Sequence, residues 1–213
     1  MRLVFASNNA HKLEEVRAIL GGEAEVLSLR DVGFAQEIDE TGETLEENSL
    51  LKAQTVWKHL FEQVEMGKAP AVDGVFADDT GLEIEALGGK PGVHTARWAA
   101  DEGFALEGEG CTSGNNRRLA LKSLAGKNNR RAQFRTVVTY IQATGFMQQV
   151  EGIVQGHIAL EEKGGGGFGY DPIFVPEGYE KTFAELPSEV KNGISHRAHA
   201  MEGLKNILLS ERK

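Results

Sequence analysis

The chain of 213 residues holds one cysteine, Cys111, so no disulfide can form within it. A lone thiol fits a reducing compartment. No apolar run approaches the ~20 residues that a membrane helix requires. The opening Met1-Arg2-Leu3-Val4-Phe5-Ala6-Ser7 is too short an apolar stretch for a signal peptide. A soluble cytoplasmic protein is therefore expected. No glycine-rich Walker sequence occurs, so a P-loop is excluded. Internal repeats and low-complexity linkers are missing too. Positive charge is scarce: 23 Lys and Arg against 32 Asp and Glu give a net charge of -9. That argues against general electrostatic binding to nucleic acid or to an anionic membrane. It leaves room for a polyanionic small ligand bound with a metal.

The rest of the composition is ordinary for a globular protein, and the length suits one domain, 1–213, divided into two lobes. The chain turns on Phe76-Ala77-Asp78-Asp79-Thr80-Gly81-Leu82. Val72 to Ala77 reads as a buried inner strand that stops at two carboxylates. Thr80-Gly81 reads as a turn, after which Leu82 to Leu87 alternates like a half-buried strand. Acids at the carboxyl end of an inner strand lie where open α/β sheets place ligands. Adjacent carboxylates repel unless a cation or proton separates them. A Mg²⁺ site with a general base and a plain polar turn both fit this stretch.

Leu3 to Ala6 reads as a strand, followed by Ser7-Asn8-Asn9 and a helix carrying Leu13, Val16 and Leu20. Ser and Asn are good N-caps, and free amides at a helix start bind phosphate, with Lys12 in reach. A simple strand–cap–helix junction reads the same way. Ala24 to Leu27 is a second strand. An acidic stretch from Glu37 to Glu47 follows, in which Thr44 and Glu47 fit a capping box. The helix beyond runs to about Val64 with Leu50, Ala53, Trp57, Leu60 and Val64 inward. Asn48 and Lys52 are expected on a separate polar face. Arg97 reads either as a phosphate contact or as a surface arginine packed on Trp98. Asp101 to Gly114 is a loop, and Asn115 to Ala125 a helix. Phe134 to Tyr140 and Val150 to Ile158 form a long hairpin, the expected spine of the second lobe. Gly164 to Gly169 satisfies G-x-G-x-x-G by accident, since Pro172 blocks the helix that a dinucleotide fingerprint opens. The run instead presents Phe168 and Tyr170 as rings able to stack on a base, or as core anchors. Ser195 caps a final helix with Met201, Leu204 and Leu208 inward. His196-Arg197 in its first turn oppose the helix dipole, which points to a ligand. His196 and His199 lack the third soft ligand that zinc needs.

In order and spacing, five motifs together resemble the inosine/xanthosine triphosphate pyrophosphatase family: Ser7-Asn8-Asn9 with Lys12; Glu47-Asn48 with Lys52; Ala77-Asp78-Asp79-Thr80-Gly81; Phe168-Gly169-Tyr170-Asp171-Pro172; and Ser195-His196-Arg197. The resemblance covers nearly the whole chain. It implies an α/β fold with an elongated mixed β-sheet, flanking helices and two lobes around a central cleft. It implies Mg²⁺-dependent hydrolysis of ITP, dITP and XTP to the monophosphate and pyrophosphate by a homodimer. Ser7, Asn8, Asn9, Ala10, His11, Lys12 and Lys52 would hold the triphosphate. Asp79 would be the general base, and Mg²⁺ would sit on Asp79, Glu47, Asp78 and Asp39, with Glu40 a further acid. Thr80 would contact substrate, Phe168, Gly169, Tyr170 and Asp171 would take the nucleoside, and Lys191, His196 and Arg197 would read the base edge. Thr80 stands where the family often has Ser, and Gly165 where Thr is common. A pyrophosphatase for other nucleotides, or a non-catalytic nucleotide sensor, would carry many of the same residues.

Overall fold

A computed structural model describes residues 1–67, 71–104 and 112–211. Among them are β1 (Arg2–Phe5), α1 (Ala10–Leu20), β2 (Glu25–Leu27), α2 (Leu45–Glu65), β3 (Gly74–Ile84), β4 (Pro91–Gly92) and α3 (Trp98–Asp101). They continue as α4 (Ser113–Ser123), β5 (Arg131–Gln142), β6 (Met147–Ile158), β7 (Phe174–Pro176), α5 (Ser188–Ile194) and α6 (His196–Glu211). The strands pair in the order β2-β1-β3-β5-β6-β7, with β4 on β3. β1 lies parallel to β2 and β3, whereas β4 on β3 and β7 on β6 are antiparallel. The fold is thus α/β with a mixed sheet. No helix of the described residues is long and apolar enough to cross a membrane.

Two compact units divide the chain. Unit 1 comprises Met1–Asp79, Thr136–Gly152 and His196–Lys213, and unit 2 comprises Thr80–Arg135 and Ile153–Ser195. In unit 1, strand alternation sorts side chains onto two faces. Leu3, Phe5, Phe76, Val138 and Tyr140 pack with Val16 and Leu20 of α1 and with Met201, Leu204 and Leu208 of α6. The intervening Val4, Ala6, Val75, Ala77 and Ile141 pack with Ala53, Val56 and Leu60 of α2. Full burial of such a side chain contributes ~1.5–3 kcal/mol, and Phe5 stacks on Phe76 at 4.9 Å between ring centroids. Unit 2 has its own core, in which Leu82, Ile84, Phe134, Val154 and Ile158 meet Trp98, Tyr170, Phe174 and Phe183.

Four sequence expectations change. Asp78-Asp79-Thr80-Gly81 does not turn the chain, because these residues lie inside the single strand β3. Asp and Gly favour turns only when the backbone lacks a better partner, and β3 is held by β1 up to Phe76 and by β4 from Leu82, with β5 along its other side. The second half of the predicted Leu82–Leu87 strand instead closes as a 3₁₀ turn over Glu85–Leu87. The hairpin is present, closed by Gln142 N–H donating to the Phe146 carbonyl. It is not the spine of one lobe, since its inner portion belongs to unit 1 and its outer ends to unit 2. The expected loop from Asp101 to Gly114 is met by α3 and by the start of α4, while 105–111, Cys111 included, lie outside the described residues.

Gly152 on β6 shows how closely α6 seats on the sheet. A Cβ there would run into the backbone of His196 and Ala200. Gly193 in α5 faces open space. Gly152→Ala is expected to cost roughly 1–3 kcal/mol through overpacking. Gly193→Ala should stabilise by about 0.5–1 kcal/mol. Urea unfolding of both variants checks the pair, and equal effects would contradict the close approach.

Candidate active site

The polar residues of unit 1 gather on the two faces of β3. Successive strand residues point to opposite sides, so Asp78 follows Phe76 toward α1 and α6, and Asp79 follows Ala77 toward α2. The Asp78 side chain is completely buried. Its Oδ1 accepts from Lys12 Nζ at 2.9 Å, and its Oδ2 accepts from Arg197 Nε at 3.1 Å and Nη2 at 2.9 Å. Arg197, itself buried, also donates through Nη1 to Glu15 at 2.5 Å. Burial alone would raise the Asp78 pKa, but Lys12, Arg197 and Lys52 outweigh it and hold the carboxyl well below its ordinary range. Burial dominates at Lys12 and lowers its pKa despite Asp78.

On the other face, Lys52 Nζ lies 2.9 Å from both Asp79 Oδ1 and Glu40 Oε1. Burial raises the Asp79 pKa more than Lys52 and Lys12 lower it. Burial lowers that of Lys52, but Asp79, Glu40 and Asp78 reverse the balance and leave it raised. The two directions are compatible: the ammonium contacts Asp79 and Glu40 and is attracted from farther off by Asp78, whereas Asp79 is opposed mainly by two lysines. Lys52 is therefore firmly charged and Asp79 is the more basic carboxylate. Both Asn48 and Lys52 are buried beside the apolar stripe of α2 rather than set on a separate polar face. Asn48 Oδ1 accepts from Gly42 N–H at 2.7 Å, which folds the acidic segment back over the start of α2.

The remaining predicted residues divide clearly. Asn9 caps α1, its Oδ1 accepting from Lys12 N–H at 3.2 Å, while Ser7 Oγ accepts from Asn9 N–H. Asn8, Asn9, Ala10 and His11 are exposed around this helix start. Glu47 forms the capping box with Thr44, and its Oε2 also accepts from Glu43 N–H at 2.7 Å. Asp39 is exposed, and Thr80 is half-buried where β3 enters unit 2. Arg97 turns to Asp101 at 3.2 Å.

Unit 2 assembles a second group. Lys191 is buried, donates to Asp171 Oδ2 at 2.7 Å and places its Nζ 4.8 Å from the Phe168 ring centroid. Asp171 Oδ2 also accepts from Phe168 N–H at 2.7 Å. Phe168 is half-buried, whereas Tyr170 is a core residue whose hydroxyl donates to the Thr95 carbonyl at 3.0 Å. Tyr170 is thus a core anchor, and Phe168 is the more exposed of the two rings. A cavity of about 620 Å³ in the same unit, lined by Glu83, Arg131, Gln133, Gln155 and His157 among others, touches none of these residues.

Among the described residues no three His, Cys, Asp or Glu groups converge. Both Asp78 oxygens already accept from buried cations, and the opposite direction of its side chain parts it from Asp79. Glu47 spends one oxygen on helix capping. Asp79 and Glu40, in contrast, meet at one cation, the Lys52 ammonium. Two hard oxygen donors suit Mg²⁺, which usually takes one or two carboxylates and completes its shell with water and substrate phosphate. The residues present therefore fit that ion. Sequence reasoning gave Glu40 a minor place and missed Glu15. The spacing of Lys12 and Glu15, three apart on one helix face, was the available signal for Glu15.

Unit 1 of this α/β protein thus holds buried cations among carboxylates and an exposed helix cap, and unit 2 holds a lysine–aromatic pair. The chain belongs to the Ham1 family, whose model matches residues 3–207. It is 45% identical over 209 residues to a protein of Porphyromonas gingivalis named dITP/XTP pyrophosphatase, covering 98% of this chain and 97% of that one. A protein of the same name from Thermoanaerobacter pseudethanolicus is 41% identical over 98% of this chain and 97% of its own. The solved Ham1 protein of Staphylococcus aureus superposes with a TM-score of 0.81 at 34% identity, covering 99% of this chain and 100% of that one. That of Coxiella burnetii gives 0.79 at 32% identity, with 99% of each chain covered.

Asp78→Asn leaves two buried cations short of their counter-charge, so it should cost about 3–5 kcal/mol, read by urea unfolding at neutral pH. The folded-state pKa of Asp78 lies below its ordinary 3.8. Its contribution is therefore complete above that value and is lost as pH falls below it, when the unfolded chain binds the proton first. The variant should lack this part of the acid limb. Wild-type stability in Asp78→Asn would contradict the bridge.

Proposed function

We infer that this chain hydrolyses non-standard purine nucleoside triphosphates, ITP, dITP and XTP, to the monophosphate and pyrophosphate. Family membership and relatives named dITP/XTP pyrophosphatase support that activity. The observation that carries the chemistry is the Asp79–Lys52–Glu40 group, in which Asp79 and Lys52 are buried and Glu40 is partly exposed. The amides and side chains from Ser7 to Lys12 receive phosphate oxygens at the start of α1, and Lys52 adds a fixed positive charge. Asp79 and Glu40 would hold Mg²⁺, which would neutralise the triphosphate and act as a Lewis acid. Asp79, its basicity raised by burial, takes the proton from the attacking water. Attack at the α-phosphorus releases pyrophosphate.

In unit 2, Phe168 offers a stacking face and Lys191 a donor that Asp171 orients. Hypoxanthine and xanthine carry an acceptor at position 6 where adenine carries a donor. A buried donor facing adenine would leave both groups unmatched, at about 1–3 kcal/mol. His196 stays a candidate base contact, and Thr80 a substrate contact. Arg197 would have to leave Asp78 to read a base, which makes Lys191 the better choice. Mg²⁺ dependence, a homodimer and residence in the cytoplasm complete the proposal.

A turnover panel over ITP, XTP, GTP, ATP and dTTP with pyrophosphate detection tests it. ITP and XTP should lead ATP clearly, and a flat panel would favour a general nucleotide pyrophosphatase. Asp79→Asn should lower turnover by at least ~10². It should disturb stability far less than Asp78→Asn does, since Lys52 keeps Glu40. Retention of more than about a tenth of wild-type turnover would remove Asp79 from the role of base. Sedimentation should give twice the 23.2 kDa chain mass, and a monomer at micromolar concentration would count against the dimer.

A further inference from the structure

We propose that Arg117 is a positioning residue for the base-binding loop: from the second turn of α4 it holds the Gly169 carbonyl, and through it the Phe168 ring, in the orientation that receives a purine. The inference rests on the assignment of Phe168 and Lys191 to the base.

The loop is weakly specified by its own sequence. Gly164, Gly167 and Gly169 all have positive φ, at 82°, 69° and 62°. Glycine visits many other conformations at little cost, so the geometry depends on outside ties. Arg117 supplies one at the residue between the stacking ring and the buried Tyr170. Its Nη1 donates to the Gly169 carbonyl at 2.8 Å, and its Nε sits 3.0 Å from Glu162 Oε2 as an ion pair. The guanidinium is planar, and its donors keep fixed directions. Nε makes no hydrogen bond of its own, so Glu162 attracts the guanidinium by charge while the Gly169 carbonyl receives its directed donor. With only 19% of its side chain exposed, Arg117 has little freedom to leave.

The neighbouring residue ties down the other side. Asn116 Nδ2 donates to the Thr95 and Ala96 carbonyls at 3.3 and 2.9 Å, and its Oδ1 accepts from Ala99 N–H at 2.8 Å. The same Thr95 carbonyl receives the Tyr170 hydroxyl. Two adjacent side chains of α4 thus bracket Gly169–Tyr170, one directly and one through Thr95. The helix start is itself fixed by Thr112, whose Oγ1 accepts from Asn115 N–H at 3.2 Å. Phe168 N–H and Lys191 then meet on Asp171 Oδ2, so an error in the Gly169 peptide is transmitted to both groups assigned to the base.

The test compares wild type with Arg117→Ala and Arg117→Lys by hydrogen exchange over Phe168–Asp171 and by kinetics with ITP. Inorganic tripolyphosphate serves as a competitor with no base. In Arg117→Ala we expect faster exchange of the Phe168 and Asp171 amides, KM for ITP up about tenfold and kcat within about twofold, the pattern of lost binding rather than lost chemistry. Inhibition by tripolyphosphate should not change, and Arg117→Lys should recover part of KM. Should Arg117→Ala fail to fold, Glu162→Gln gives the milder version, with KM up about two- to threefold. Unchanged exchange and KM would overturn the proposal, as would a fall in kcat alone or a parallel loss of tripolyphosphate binding. If wild type does not turn over ITP but the exchange change is seen, the tie stands and the base assignment falls.

Discussion

The buried carboxylate of Asp78 is the interaction on which unit 1 depends. It joins Lys12 near the start of α1 to Arg197 in the first turn of α6, from the middle of β3. A charge taken out of water is costly unless it is paired and hydrogen-bonded. Here both oxygens are used, and the arginine is shared with Glu15. The two ends of unit 1's chain are thereby locked onto its central strand. The close seat of α6 on Gly152 and the apolar contacts of Val16, Leu20 and Leu204 complete that arrangement.

Strand geometry then separates two acids that are adjacent in sequence. Because β3 continues unbroken through Asp78 and Asp79, their side chains enter different environments. One is enclosed by cations that stabilise its charge. The other is buried with a single lysine bridge and becomes more basic. A turn at this point would have left both in one polar pocket with similar properties. The same fold logic explains Lys52, whose place inside the α2 face is acceptable only because Asp79 and Glu40 meet its charge.

Much of this was legible in the sequence. The first strand, the helix after Asn9, the capping box at Thr44 and Glu47 and the long hairpin all rest on local signals, and they occur within a residue or a few of their expected limits. The Thr80-Gly81 turn after the two acids was misread because Asp and Gly carry a turn preference that the strand overrides. His196-Arg197 at the start of α6 were read as pointing to a ligand, yet the charge of Arg197 is met within the chain by Asp78 and Glu15. Those partners are 119 and 182 residues away, and no local pattern can show them. Glu40 was underweighted for the same reason, since its value lies in meeting Asp79 through Lys52.

The central claim is that Asp79 and Glu40 present the reactive face while Asp78 remains part of the scaffold. The most direct measurement is anomalous diffraction from crystals grown with Mn²⁺ and a non-hydrolysable ITP analogue. The account predicts a Mn²⁺ peak bound by Asp79 and Glu40, with Lys12 and Arg197 still on Asp78. A peak coordinated by Asp78, or one distant from Asp79, would contradict it.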